Sequence, residues 1–173
     1  MTDNKSTENK AGENKADENA PLTVENMPRV AILTQYVKDL SFENPNAPGM
    51  LANSGEQPKI NLSVNVQARR IAEPQYEAEI KINVEARQSG RLVFMIELLY
   101  GGIFQLSNIP AENLQPILLI ECPRLIFPFA RRIIADTTRD GGYAPLMIDP
   151  IDFAALYRSQ AAAAQAKANK ALN

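Results

Sequence analysis

YEAEIKINVEARQSGRLVFMIELLY, residues 76–100, is the stretch that decides the fold. From Tyr76 to Arg87 the apolar Tyr76, Ala78, Ile80, Ile82, Val84 and Ala86 alternate with Glu77, Glu79, Lys81, Asn83, Glu85 and Arg87. A period of two puts the first set on one side of a β-strand and the second on the other, so one face is core and the other is wet. Ser89-Gly90 reads as a short hairpin connection. The strand that follows, Arg91 to Tyr100, breaks the alternation: Leu92, Val93, Phe94, Met95, Ile96, Leu98, Leu99 and Tyr100 cover both faces, with Glu97 the only acid among them. An antiparallel strand is apolar on both sides when something covers each of them. In so short a chain another subunit is the favoured second cover, and a strand buried within one protomer is the alternative.

Working outward, Val30 to Phe42 is rich in β-branched and aromatic residues and ends at the turn signal Asn44-Pro45-Asn46-Ala47-Pro48-Gly49. Ile60, Leu62, Val64 and Val66 then alternate with Asn61, Ser63 and Asn65 on a second strand. Gly101-Gly102, after the fourth strand, is expected to let the chain bend out of the sheet. From Pro110 the period changes. Leu114, Ile117, Leu118 and Glu121 fit a helix ending near Cys122-Pro123. Ile126, Phe129, Ala130, Ile133 and Ile134 mark the core side of a longer second helix, stopped by Gly141-Gly142. Phe153, Leu156 and Tyr157 open a third, capped by Asp149 or Asp152. Four strands followed by helices predict an α+β fold with a four-stranded antiparallel sheet.

Residues 1–27 hold the degenerate repeat Glu8-Asn9-Lys10-Ala11-Gly12, Glu13-Asn14-Lys15-Ala16-Asp17, Glu18-Asn19-Ala20. So few apolar side chains cannot repay an ordering entropy of about 1–2 kcal/mol per residue, so a disordered polar tail is expected. The expected folded domain is 28–160, and 161–173 is an Ala-rich helix end expected to fray. The tail carries a charge of −3 of the chain's −2, leaving a body at +1 in a chain that is 45% hydrophobic. That balance speaks against a nucleic-acid partner and for apolar ones or self-association. The N-terminus shows no apolar signal core, and no run reaches the ~18 apolar residues of a membrane span, so a cytoplasmic protein without membrane insertion is expected.

The chain has no histidine and a single cysteine, Cys122. This removes the commonest general base, the Ser-His and Cys-His pairs, a disulfide framework and a four-thiolate zinc site. Cys122, among apolar residues, is expected to be a buried, unreactive thiol. Glu77 and Glu79 read as solvated residues of the wet face. Arg69-Arg70 and Arg131-Arg132 lack the interleaved aromatics of a nucleic-acid surface. Asp39 and Glu43, ending the first strand, and Glu97 form the one constellation that stands out. Composition alone assigns these acids to solubility. Neither an enzyme, a cofactor nor a metal is expected.

At these residues the sequence resembles the SecB family of protein-export chaperones. The matching stretches are Lys38 to Pro48, Gly101-Gly102-Ile103-Phe104, Cys122 to Arg131, and Pro150 to Tyr157, in register from about Arg29 to Tyr157. The resemblance implies a homotetramer, a dimer of dimers with helices between two eight-stranded sheets. It also implies a holdase that binds unfolded secretory preproteins and delivers them to the SecA motor ATPase; a SecB-like chaperone serving another client, such as a toxin–antitoxin pair, is the alternative. By motif match, Asp39, Glu43, Met95 and Glu97 are the implied SecA contacts, which reverses the solubility reading. Ile96, Leu98 and Tyr100 match positions associated with tetramer assembly.

For the precursor groove the candidates are Met50, Leu51, Ile60, Leu62, Phe153 and Tyr157. Here the chain departs from the family: Gln57-Pro58 is preceded by Glu56 instead of an aromatic residue, with one extra residue in the connection. A holdase needs no catalytic group. It needs apolar subsites engaged together along one chain, which raises avidity by about 10²–10⁴ over a single subsite.

Overall fold

The computed structural model describes residues 27–51 and 57–171. The polar repeat expected to be a disordered tail lies outside them up to residue 26. Strands β1 (Arg29–Glu43), β2 (Lys59–Ala72), β3 (Gln75–Gln88) and β4 (Arg91–Ser107) form one antiparallel sheet in the order β1-β4-β3-β2. Helices α1 (Ala111–Pro116), α2 (Cys122–Asp140) and α3 (Phe153–Ala171) follow. Ile80, Ile82, Val84 and Ala86 of β3 are buried, as their alternation requires, and Phe94, Ile96, Leu98 and Phe104 of β4 lie in the same core with Cys122, Ile126, Ala130 and Ile134 of α2. The other face of β4, with Met95, Glu97, Leu99 and Ile103, stays half-exposed.

The fourth strand does not bend at Gly101-Gly102; it runs on to Ser107. The glycines serve close approach instead. A Cβ on Gly102 would lie 3.0 Å from the Phe104 ring and 3.2 Å from Ile126 of α2, and one on Gly101 would lie 3.3 Å from the Tyr36 ring on the opposite face. Nor does a break separate the first two helices. The path continues through a π-helical turn, Ile117–Glu121, where the Cys122 N–H donates to the Ile117 carbonyl five residues back. Pro116 and Pro123 flank this turn and lack the N–H of a regular helix, which is the usual setting for such a widening.

The α2 helix stops at Gly141, with Gly142 at φ +89°. Asp152, not Asp149, caps α3: its Oδ1 accepts the Ala155 N–H at 2.9 Å. Beyond Gln160 the side chains of Ala161, Ala162 and Ala163 are exposed. The 44–51 loop is tied down by Asn44 Nδ2 donating to the Gly141 carbonyl (3.2 Å), Asn46 Nδ2 donating to Leu92 (2.8 Å) and Tyr143 donating to Asn44 Oδ1 (2.8 Å).

Candidate functional site

Pairing between β1 and β4 passes over Leu33 and Lys38, each a bulged residue on β1. A bulge shifts the phase of alternation by one. Tyr36 therefore faces the side away from the helices, opposite Gly101, and after Lys38 so does Asp39, opposite Leu99. Ser41 then pairs with Glu97, and Glu43 with Met95. The structure thus brings Asp39, Glu43, Met95 and Glu97 to one face at one end of two neighbouring strands. Asp39 and Glu43, four residues apart, are separated by about 13 Å, and Glu97 stands beside the midpoint about 5 Å away on the next strand.

Register also reveals neighbours that the one-strand reading missed. Across from β4, Asn83 pairs with Glu97 and Glu85 with Met95. Lys81 Nζ lies 4.0 Å from Glu97 Oε2. A shallow depression of about 380 Å³ opens beside the acids, lined in part by Asn61, Ser63, Asn83, Glu85, Met95 and Glu97. A hydrogen bond from Arg87 holds the Glu85 carboxyl below its usual range, so Glu85 adds a further anion at neutral pH.

Farther along the same face, one residue contradicts its expected solvation. Glu77 is 1% exposed. Its carboxylate accepts from the Tyr36 hydroxyl and from Arg69 Nε, and Lys38 Nζ stands 3.4 Å away while also binding Glu79. Burial pushes this carboxyl up, but the Tyr36 and Arg69 hydrogen bonds and the Lys38 charge together outweigh it and bring it down to about 2.

Ile96, Leu98 and Tyr100 face the helices. They are 0%, 0% and 6% exposed within a single chain, so they support the helix layer from beneath. The groove candidates divide. Met50 and Phe153 are core residues, Phe153 meeting Phe127 edge-on at 5.8 Å, and Tyr157 is half-buried. Leu51, Ile60 and Leu62 are exposed, the last two on the helix-side face of edge strand β2, whose first half is left uncovered. Phe129, expected in the core, is 42% exposed on α2 beside exposed Leu125, while Ile32, Leu33, Val37 and Leu40 are exposed along edge strand β1. Helical spacing made Phe129 look internal; only the position of α2 on the sheet shows that its apolar stripe is wider than the core it covers.

Cys122 is fully buried, and burial, with Glu121 adding to it, pushes its thiol up to about 12, so it is inert as a nucleophile. Among the described residues no cluster of His, Cys, Asp and Glu could hold a metal ion, and no helix is long and apolar enough to cross a membrane.

A four-stranded antiparallel sheet followed by helices is a fold also seen in a SecB-like chaperone. In fold it is similar to a Mycobacterium tuberculosis SecB-like chaperone solved with a peptide from an antitoxin, with a TM-score of 0.59 and 14% identity over 71% of this chain and 91% of that one. The family model for preprotein translocase subunit SecB matches residues 23–164. The protein-export protein SecB of Rhodopseudomonas palustris strain BisB18 is 51% identical over 155 residues, 88% of this chain and 94% of that protein. That of Parvibaculum lavamentivorans is 54% identical over 147 residues, 82% and 88%. The chain belongs to the SecB family of protein-export chaperones.

Proposed function

We propose that this chain works as a cytoplasmic homotetrameric holdase, which binds non-native secretory preproteins and delivers them to the SecA motor. The observation that carries the delivery step is the register itself, which gathers Asp39, Glu43, Met95 and Glu97 on one open sheet face although more than fifty residues of sequence separate the first two from the last two. Carboxylates around a half-exposed methionine suit a partner with a basic, partly apolar surface. Charge complementarity of this kind mainly speeds encounter and fixes orientation. Client binding draws on the exposed Leu51, Ile60 and Leu62. Flexible and aliphatic side chains accept many sequences, as a holdase must.

For assembly, two β1 edges paired antiparallel would give an eight-stranded sheet, and the exposed Leu125 and Phe129 would be covered where helix layers of two dimers meet. Ile96, Leu98 and Tyr100 contribute to assembly by fixing α2 from below. The relatives at 51% and 54% identity are protein-export proteins, whereas the antitoxin-bound chaperone is only 14% identical, which favours secretory clients over a toxin–antitoxin pair.

The test combines the variants Asp39→Asn, Glu43→Gln and Glu97→Gln. Suppression of aggregation of an unfolded secretory precursor, and the mass by light scattering, should be those of the unmodified protein. SecA affinity by calorimetry should fall, more steeply at low salt than at high salt, because exposed charges more than about 10 Å apart are already largely screened at 0.1 M. Unchanged affinity at low salt returns the carboxylates to a solubility role.

A further inference from the structure

The acids reach the open face through a change of phase in β1, and that change has a visible anchor. Thr34 to Val37 lie between the two bulges, so their alternation is offset from that of the rest of the strand. Without the bulge at Lys38, Asp39 would continue this offset and point toward the helices. The far end of the strand has its own fixings, namely Phe42 against Gly141 and Asn44 bound to Gly141 and Tyr143. At the bulge, the fixing is the cluster around Glu77. Tyr36 lies across Gly101, where a missing Cβ leaves room for its ring, and its hydroxyl reaches Glu77 on β3. Lys38, the bulged residue, spans the same gap to both Glu77 and Glu79, and Arg69 on β2 closes the carboxylate from the other side. The cluster therefore bridges β1, β3 and β2 over β4. A charge this buried is retained only when its partners are all in place, and removing one leaves the rest uncompensated.

We propose that Glu77, Lys38 and Tyr36 form a register pin: by holding the bulge closed over Gly101, they fix the face on which Asp39 emerges and so position it for the docking partner. These are positioning residues, and the inference rests on the docking reading of the acids. It differs from a general bracing role in being local. Asp39 adjoins the bulge, whereas Glu97 sits on the central strand β4 and depends on none of these contacts.

A double-mutant cycle separates the possibilities. SecA affinity is measured at low salt for Asp39→Asn and for Glu97→Gln, each in the unmodified background and in Glu77→Gln. Each acid alone should matter by about three- to fivefold, the scale of a well-placed exposed charge. In Glu77→Gln, the effect of Asp39→Asn should vanish while that of Glu97→Gln persists. Lys38→Met should give the same pattern although it changes net charge in the opposite direction, which excludes a purely electrostatic origin. Amide exchange at Tyr36 to Asp39 should rise in both variants, with the β2–β3 hairpin unchanged in Lys38→Met, which leaves the Arg69–Glu77 pair in place. Should Glu77→Gln fail to fold, Glu79→Gln loosens only the Lys38 end and carries the same comparison. An Asp39→Asn effect of equal size in both backgrounds overturns the pin. No Asp39→Asn effect even in the unmodified background overturns the docking reading instead.

Discussion

Replacing Gly141 by alanine tests whether the end of β1 is positioned by packing against the end of α2. Gly141 has φ −72° and ψ −2°, a conformation that alanine adopts without strain. On backbone grounds the change should stabilise by about 0.4–1 kcal/mol through the unfolded state. The contact reverses the sign. An added Cβ would overlap the Phe42 ring, with the next ring atom, Cε1, only 2.7 Å away. Phe42 cannot simply swing clear, because it belongs to an aromatic row, 6.1 Å from Phe94, which is itself 5.0 Å from Tyr143. Overpacking of this kind costs about 1–3 kcal/mol, and loosening the aromatic contact adds about 0.5–1.5 kcal/mol. The net expectation is a loss of about 1–3 kcal/mol, read as a lower urea midpoint at fixed protein concentration, since the proposed assembly would make the midpoint concentration-dependent. In a Phe42→Leu background the obstructing ring is gone, and Gly141→Ala should become neutral or stabilising, a coupling of about 2 kcal/mol. Equal losses with and without the ring, or a Gly141→Ala protein as stable as the unmodified one, would refute the reasoning.

Acid sensitivity should trace to Glu77. Its folded value, about 2, lies below the ordinary 4.5, so its contribution is complete above pH 4.5 and is lost as pH falls from there toward 2. The displacement corresponds to about 3 kcal/mol, and roughly half that once water screens the Lys38 and Arg69 ends. Urea midpoints at pH 7 and pH 3 should therefore differ more in the unmodified protein than in Glu77→Gln, and equal drops would sink the assignment. For assembly, Phe129→Glu should leave circular dichroism unchanged and lower the mass seen by light scattering. Leu98→Asp, which buries an unpaired charge inside one chain, should instead yield little folded protein, at a cost of about 3 kcal/mol or more. A folded Leu98→Asp dimer would show that Leu98 acts at the interface directly.

The sequence was legible where one face of an element is buried along its whole length. The alternation of β3 needed no partner to be read, because its six inward residues meet a continuous core. Legibility failed where meaning depends on what lies opposite. Gly101 and Gly102 carry no local sign that Tyr36 and Ile126 press on them from opposite faces, so a bend and a close approach look alike. Glu77 resembles Glu79 and Glu85 until Tyr36, forty-one residues earlier, is laid across it. The bulges at Leu33 and Lys38 leave no mark in composition, yet they determine which side Asp39 occupies. The family motif supplied the identity of the acids, while the reason they share a face lies in strand pairing. Simple alternation from Tyr36 would have turned Asp39 inward. On the proposed reading, the run Lys38-Asp39-Leu40-Ser41-Phe42-Glu43 would work as a site only with Glu77 beneath Tyr36 and Lys38, and with Gly141 beneath Phe42. If the acids dock a partner as proposed, that face would be specified as much by these two neighbours as by the carboxylates themselves.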